Sequence, residues 1–128
     1  MNKILIVDDN ADVLQVMQLL LGSRGYNVEV TTMGEETYQR TKSFQPNLIF
    51  LDIHLGTLDG RDVCKNLKDN NETKHIPIIL FSANIIKANL LEETFADDFI
   101  AKPFDIHDLL VKVDKLIGVP GDGEAVSV

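Results

Sequence analysis

The chain has 128 residues, 45% of them hydrophobic and 25% charged, which is ordinary for one water-soluble globular domain. Its formal net charge of −8 argues against direct binding to nucleic acid, because contact with phosphates needs a basic surface. The apolar runs are too short to span a membrane, no secretory signal is recognised, and the single cysteine, Cys64, excludes an internal disulfide. We therefore expect a cytoplasmic protein that is not held at a membrane.

The first half of the chain alternates between strand and helix patterns. The continuous apolar run at residues 3–8 predicts a strand that is buried on both faces. Asp9 or Asn10 offers an N-cap to a helix whose apolar residues repeat at helical spacing up to the first glycines. β-Forming residues predict a second strand at 26–31, and a second helix is predicted at 35–44.

The second half continues the alternation. Three further strands are predicted, at residues 48–51, 77–81 and 99–101. The remaining helices are predicted after the turn signal Asp59-Gly60, around residues 85–94, and at 105–117. Residues 119–128 lack any apolar period and are predicted to be a disordered tail or an expression remnant, which leaves a folded domain at residues 1–118.

Five strands that alternate with five helices predict a parallel sheet covered by helices on both faces. In such sheets the functional site lies beyond the carboxyl ends of the strands, where Asp8, Asp9, Asp52, Ser82 and Lys102 are expected to meet. Three carboxylates suit a hard cation such as Mg²⁺, and a lysine with a hydroxyl suits a phosphoryl group. A carboxylate can also act as a nucleophile and form an acyl phosphate.

Four motifs carry a family resemblance: ILIVDDN, LIFLDIHLGTLDG, IILFSA and DDFIAKPF. In order and spacing they resemble the receiver domain of bacterial two-component response regulators, of the CheY-like superfamily. The resemblance covers about residues 2–118. It implies an α/β fold of the flavodoxin-like type, a doubly wound five-stranded parallel sheet with strand order 2-1-3-4-5 in a (βα)5 three-layer sandwich.

The resemblance assigns roles in phosphorylation and switching. Asp52 matches the phosphoacceptor, Lys102 the phosphate-binding lysine, Ser82 the switch hydroxyl and Phe99 the switch aromatic. The peptide bond between Lys102 and Pro103 matches one that is usually cis in the family. Only a peptide bond that precedes proline adopts the cis form at low energetic cost.

A metal site is implied in the same way. Asp9 and Asp52 match direct ligands of Mg²⁺ (or Mn²⁺), Asp8 matches an acid that acts through water, and the backbone carbonyl of His54 matches the third protein ligand. His54 and Asn84 follow the acceptor and the switch hydroxyl by two positions. They are predicted to flank the route of an attacking water and so to influence the lifetime of the acyl phosphate.

The chain departs from the family pattern at three points. The family often has proline where Gly56 stands, and Phe95 replaces the glycine of a common GADD sequence. The stretch from Ser82 to Lys102 is about two residues shorter than usual. The last two departures bear on the fourth helix, which belongs to the signalling face of the family.

These features predict a phosphoacceptor switch of a two-component phosphorelay. The phosphoryl donor would be a histidine kinase or a histidine phosphotransfer protein, and phosphorylation would change the surface formed by the fourth helix and fifth strand. The output would be contact with an unidentified downstream protein, by a monomer or a phosphorylation-dependent dimer. No separate substrate turnover is expected, because the protein would assist only its own phosphorylation and dephosphorylation. The chain would be a stand-alone receiver or one cut from a longer protein.

Two other functions stay open. One is a Mg²⁺-dependent phosphohydrolase with an aspartyl nucleophile, although Asp8-Asp9-Asn10 does not match the D-x-D motif of haloacid-dehalogenase enzymes. Another is a receiver used only for docking, without phosphorylation. A flavodoxin-like electron carrier would share the fold, but it normally has a phosphate-binding loop where this chain has acids.

Several residues also have simpler interpretations. Asp9 taken alone could equally be a helix cap, and Asp59 beside Gly60 is interpreted as a turn or N-cap residue. Cys64 lies on an apolar helix face and is interpreted as part of the core. Phe99 could serve only in packing.

Overall fold

Three largely apolar strands form the centre of a five-stranded sheet, with a more polar strand at each edge. The structure, a computed structural model, describes residues 2–83 and 89–118. The sheet strands are β1 (Lys3–Val7), β2 (Asn27–Thr31), β3 (Leu48–Asp52), β6 (Ile78–Ser82) and β7 (Asp98–Ala101). Between β3 and β6 lies a small antiparallel hairpin, formed by β4 (His54–Leu55) and β5 (Leu58–Asp59).

All pairings in the sheet are parallel, in the order β2-β1-β3-β6-β7. Counted along the chain, the five sheet strands therefore have the order 2-1-3-4-5, which confirms the predicted fold class. The register pairs Asp52 with Phe81 and Ser82 with Ala101. Because the strands run in the same direction, their carboxyl ends lie at one edge of the sheet.

In the described parts of the chain, four α-helices connect the strands of the sheet and a fifth follows the last strand. They are α1 (Ala11–Ser23), α2 (Thr37–Phe44), α3 (Gly60–Asp69), α4 (Leu90–Thr94) and α5 (Ile106–Ile117). Side chains cap three of them: Asn10 accepts from the first turn of α1, Asp59 from α3 and Asp105 from α5. Asp59 is thus an N-cap, as predicted, and Asn10 rather than Asp9 caps α1.

Two hydrophobic clusters separate the layers. One lies between the sheet and helices α1 and α5, and includes Met17, Phe50 and Leu109. The other lies on the opposite face against α3 and α4, and includes Leu51 and Leu90, together with Phe44 at the end of α2. The sheet is therefore the middle of three layers, as the predicted sandwich requires.

The only cysteine of the sequence, Cys64, belongs to the second cluster and is fully buried. Its Sγ lies 3.4 Å from the backbone oxygen of Thr94, so the thiol links α3 to the end of α4. Burial raises the pKa of the thiol to about 12. The interpretation of Cys64 as a core residue is confirmed.

Several details differ from the sequence predictions. The second helix begins with a 3₁₀ turn at Gly34–Glu36, and the β4–β5 hairpin was not predicted because two-residue strands carry no periodicity. Most strand ends shift by one residue. The start of the predicted 85–94 helix, Asn84 and the predicted tail at 119–128 lie outside the described residues. Among residues 2–83 and 89–118, no helix is long and apolar enough to cross a bilayer.

Candidate functional site

The carboxyl edge of the sheet gathers the polar residues that follow its strands. Asp8 directly follows β1, Asp52 ends β3, Ser82 ends β6 and Lys102 directly follows β7. Asp8, Asp52 and Ser82 have 0%, 3% and 1% of their surface exposed, whereas Asp9 is exposed. Buried carboxylates are costly unless they are paired, so this edge needs positive charge close by.

Lys102 supplies that charge. Its ammonium Nζ lies 2.6 Å from Oδ2 of Asp8 and 3.1 Å from Oδ2 of Asp52. The same nitrogen lies 4.7 Å from the ring centroid of Phe81, where the face of the ring favours a cation. Lys102 thus bridges the two buried carboxylates at the mouth of the site.

Backbone amides hold the other carboxylate oxygens. The N–H of Asn10 donates to Asp8 Oδ1 over 2.8 Å, and the N–H of His54 donates to Asp52 Oδ1 over 3.1 Å. Asp9 does not act as a cap, because its Oδ2 accepts a hydrogen bond from the N–H of Gly56 over 3.2 Å. Each acid is therefore oriented by a fixed donor.

The electrostatics of the site follow from burial. Removal from solvent raises the pKa of Asp8 to about 6, although the hydrogen bonds from Lys102 and the Asn10 amide act in the opposite direction. Burial alone would lower the pKa of Lys102, but the hydrogen bonds and charges of Asp8 and Asp52 outweigh it and raise that pKa. Two acids and one lysine leave negative charge at the site, which a further cation would offset.

The donor set suits such a cation. Asp8, Asp9 and Asp52 each offer a carboxylate oxygen, and these oxygens lie within 4.8 Å of one another. A hard divalent ion prefers oxygen ligands in this kind of arrangement. His54 lies in β4 with its side chain exposed, and the role of its carbonyl as a ligand stays a prediction.

The residues predicted to form the switch lie on adjacent strands. The backbone oxygen of Ser82 accepts a hydrogen bond from the N–H of Lys102 over 2.8 Å. Phe99 lies on β7 opposite Leu80 and is 36% exposed, so its ring is turned toward solvent rather than into the core. The bond between Lys102 and Pro103 is cis, as the resemblance implies.

Sequence reasoning missed the close contact between Gly60 and the strand that carries Asp52. A Cβ atom at Gly60 would lie 1.9 Å from the backbone oxygen of Asp52 and 2.9 Å from Cα of Ile53. The N–H of Gly60 also donates to the carbonyl of Ile53 over 2.7 Å. The sequence predicts only a turn or N-cap at Asp59-Gly60, because nothing local indicates what the glycine packs against.

Comparison with known proteins places these features in a family. The response regulator receiver domain family matches residues 4–114. The DNA-binding dual master transcriptional regulator RpaA of Synechocystis sp. is 31% identical over 119 residues, which cover 91% of this chain and 49% of that protein. The chain spans about half the length of the curated relatives it matches.

Two solved structures are similar over almost their whole length. The receiver domain of the sensor histidine kinase PA1611 from Pseudomonas aeruginosa, with a magnesium ion in its active-site cleft, is 27% identical with a TM-score of 0.81, and the match covers 91% of this chain and 98% of that one. The BeF3-activated receiver domain of Klebsiella pneumoniae RstA is 28% identical with a TM-score of 0.81. This match covers 90% of this chain and 97% of that one.

Proposed function

We propose that this chain, which belongs to the response regulator receiver domain family, accepts a phosphoryl group on Asp52 and so acts as a switch in two-component signalling. The observation that carries the proposal is the bridge formed by Lys102 between buried Asp8 and Asp52 at the carboxyl edge of the sheet. The donor is a histidine kinase or a histidine phosphotransfer protein.

In the transfer, a carboxylate oxygen of Asp52 attacks the phosphorus of the phosphohistidine. The P–N bond breaks, its electron pair remains on the imidazole, and the new P–O bond makes an acyl phosphate. Lys102, already 3.1 Å from Asp52, gives the incoming phosphoryl oxygens a cationic partner. Phosphoryl transfer depends mainly on positioning and charge neutralisation, and the fixed amides and the lysine provide both.

Asp8, Asp9 and Asp52, with the backbone carbonyl of His54, would hold Mg²⁺ or Mn²⁺. Their oxygens are the ligands that these ions prefer, and the cluster of three acids supports the fit. A bound ion would supply positive charge that offsets the repulsion among the acids and the charge of the phosphoryl group. The magnesium-containing receiver domain of PA1611 supports this assignment.

The same site limits the lifetime of the acyl phosphate. His54 is exposed on the β4–β5 hairpin, two positions after Asp52, where its side chain can flank the route of an attacking water. Asn84, two positions after Ser82 in the sequence, is proposed to influence the same lifetime. The protein thus assists its own dephosphorylation without turning over a separate substrate.

Acetyl phosphate tests the central proposal. With Mg²⁺, we expect the wild type to gain one phosphoryl group by intact-mass measurement, and with EDTA we expect no gain. Asp52→Asn should gain none under either condition, because the nucleophilic oxygen is lost. Asp12→Asn, which removes an exposed acid on α1, should be labelled like the wild type. Equal labelling of Asp52→Asn and wild type would refute the assignment of the acceptor.

Ser82 is proposed to convert phosphorylation into a change of surface. Its hydroxyl would donate to the phosphoryl oxygens, and the ring of Phe99 would then turn inward from its exposed position. Ser82→Ala should still accept a phosphoryl group, but its phosphorylation should change hydrogen exchange across residues 83–104 much less than in the wild type. Ser43→Ala on α2 serves as the distant control. If Ser82→Ala shows the full wild-type change in hydrogen exchange, Ser82 is not the group that couples phosphorylation to the change of surface.

A further inference from the structure

Gly56 lies in the hairpin between β3 and α3, and its backbone contacts the cluster of three acids formed by Asp8, Asp9 and Asp52. Its N–H donates to Asp9 Oδ2 over 3.2 Å, although the two residues are 47 positions apart. The φ angle of Gly56 is +63°, a left-handed conformation that favours glycine. Asp9 is exposed, so this bond restrains a side chain that solvent would otherwise leave free to change rotamer.

The hairpin is anchored on the protein, so the Gly56 amide is a fixed donor. Within it, His54 pairs with Asp59 and Leu55 with Leu58, and Leu55 is buried in the second cluster. Just before the hairpin in the chain, the N–H of Ile53 donates to the carbonyl of Phe81 over 3.1 Å. The position of Asp9 relative to Asp52 is therefore set by the hairpin as well as by β1.

We propose that Gly56 is a positioning residue, whose N–H holds Asp9 in place for a divalent cation and thereby raises the affinity of the site. The inference rests on the proposed function. One carboxylate oxygen held by a donor leaves the other oxygen for a cation, and groups that orient metal ligands in this way strengthen binding. Proline at this position would lack an N–H and fix φ near −65°, so it could not make this bond.

Gly56→Pro changes both the hydrogen bond and the loop conformation, whereas Gly56→Ala, strained at the same positive φ, perturbs the conformation alone. Gly56→Pro removes the donor, and we expect the dissociation constant for Mg²⁺, measured by NMR titration, to rise about tenfold. Gly56→Ala keeps the donor. Apart from Gly56 itself and its two neighbours in the chain, no atom of the described residues lies within 4 Å of the added Cβ. The alanine variant should therefore melt at a lower temperature, because of its positive φ, yet bind Mg²⁺ within about threefold of the wild type.

A measurement that needs no change in the hairpin complements these variants. In Asp9→Ala without metal, the Gly56 amide should exchange with solvent severalfold faster than in the wild type, because its acceptor is gone. The Asn10 amide, which donates to Asp8, should be unaffected and serves as the reference.

The outcomes distinguish the inference from the function on which it rests. Equal Mg²⁺ affinity in Gly56→Pro and the wild type, or an unchanged Gly56 amide in Asp9→Ala, overturns the positioning role alone. A wild-type protein that takes up no Mg²⁺ and gains no phosphoryl group overturns the proposed function and the positioning role together.

Discussion

In metal-free buffer at pH 7, Asp8→Asn is expected to unfold at a temperature several degrees higher than the wild type. Asp8 is fully buried, and removal from solvent raises its pKa from an ordinary 3.8 to about 6. That difference in pKa means that the ionised carboxyl destabilises the folded state by roughly 3 kcal/mol. The interaction with Lys102 is already part of this pKa, so we expect the substitution to give a net gain on the order of 1–2 kcal/mol.

The pH dependence of this gain has a defined sign. The folded state binds the proton of Asp8 more tightly than the unfolded state does, so the stability contributed by this group is present below pH 3.8 and is lost as the pH rises through about 6. The advantage of Asp8→Asn should therefore be complete above pH 6 and should shrink as the pH falls toward 3.8. Thermal melts of both proteins in EDTA across this range measure it.

Mg²⁺ should reverse the ranking. A cation that binds only the folded state stabilises it by mass action, and the substituted protein lacks one of the acids that would hold it. Asp12→Asn, an exposed substitution on α1, should show neither the gain in EDTA nor the loss of the response to Mg²⁺. A lower melting temperature for Asp8→Asn than for wild type in EDTA would contradict the electrostatic account.

Gly60→Ala is expected to destabilise the protein by about 2–4 kcal/mol. The added methyl would lie 1.9 Å from the backbone oxygen of Asp52 and 2.8 Å from its carbonyl carbon. Neither atom belongs to a flexible side chain, so relief requires that α3 move away or that the end of β3 shift. Urea denaturation measures the loss of stability. Acetyl phosphate labelling should slow as well, because the shift would move the acceptor relative to Lys102.

Gly22→Ala is the matched control for this substitution. Gly22 lies within α1, and apart from its chain neighbours and the adjacent backbone of α1, no atom of the described residues comes within 4 Å of its added Cβ. Alanine is favoured over glycine in a helix by up to about 1 kcal/mol, so this variant should equal or exceed the wild type in stability. If Gly60→Ala lies within about 0.5 kcal/mol of the wild type, the carbonyl of Asp52 is not the rigid neighbour described above.

The sheet and its functional edge could be predicted from the sequence because burial leaves a strong pattern. Strands β3 and β6 are buried along their whole length, so each appears as an unbroken apolar run. Given parallel strands, the polar residue after each run must lie at the same edge, which brings Asp8, Asp52 and Lys102 together without further information. Their chemical roles stay predictions, since geometry alone does not demonstrate transfer.

The remaining features depend on tertiary contacts. Asp9 and Asn10 can both cap a helix, and the local sequence cannot decide between them. In the fold Asn10 accepts from the N–H of Asp12, which leaves Asp9 for the amide of Gly56. The tight approach of Gly60 to Asp52 has no local signal for the same reason, because it depends on where α3 lies against β3.

The buried thiol of Cys64 allows local opening of the protein to be measured by chemical modification. Packed in the second cluster and held at a pKa of about 12, it is almost entirely in the unreactive thiol form at neutral pH. An alkylating reagent reaches a fully buried thiol only when the packing around it opens, so the rate of its modification measures those openings. A cysteine introduced at an exposed position such as Gln18 could therefore be labelled selectively with a fluorophore, since the native thiol does not react while it stays buried.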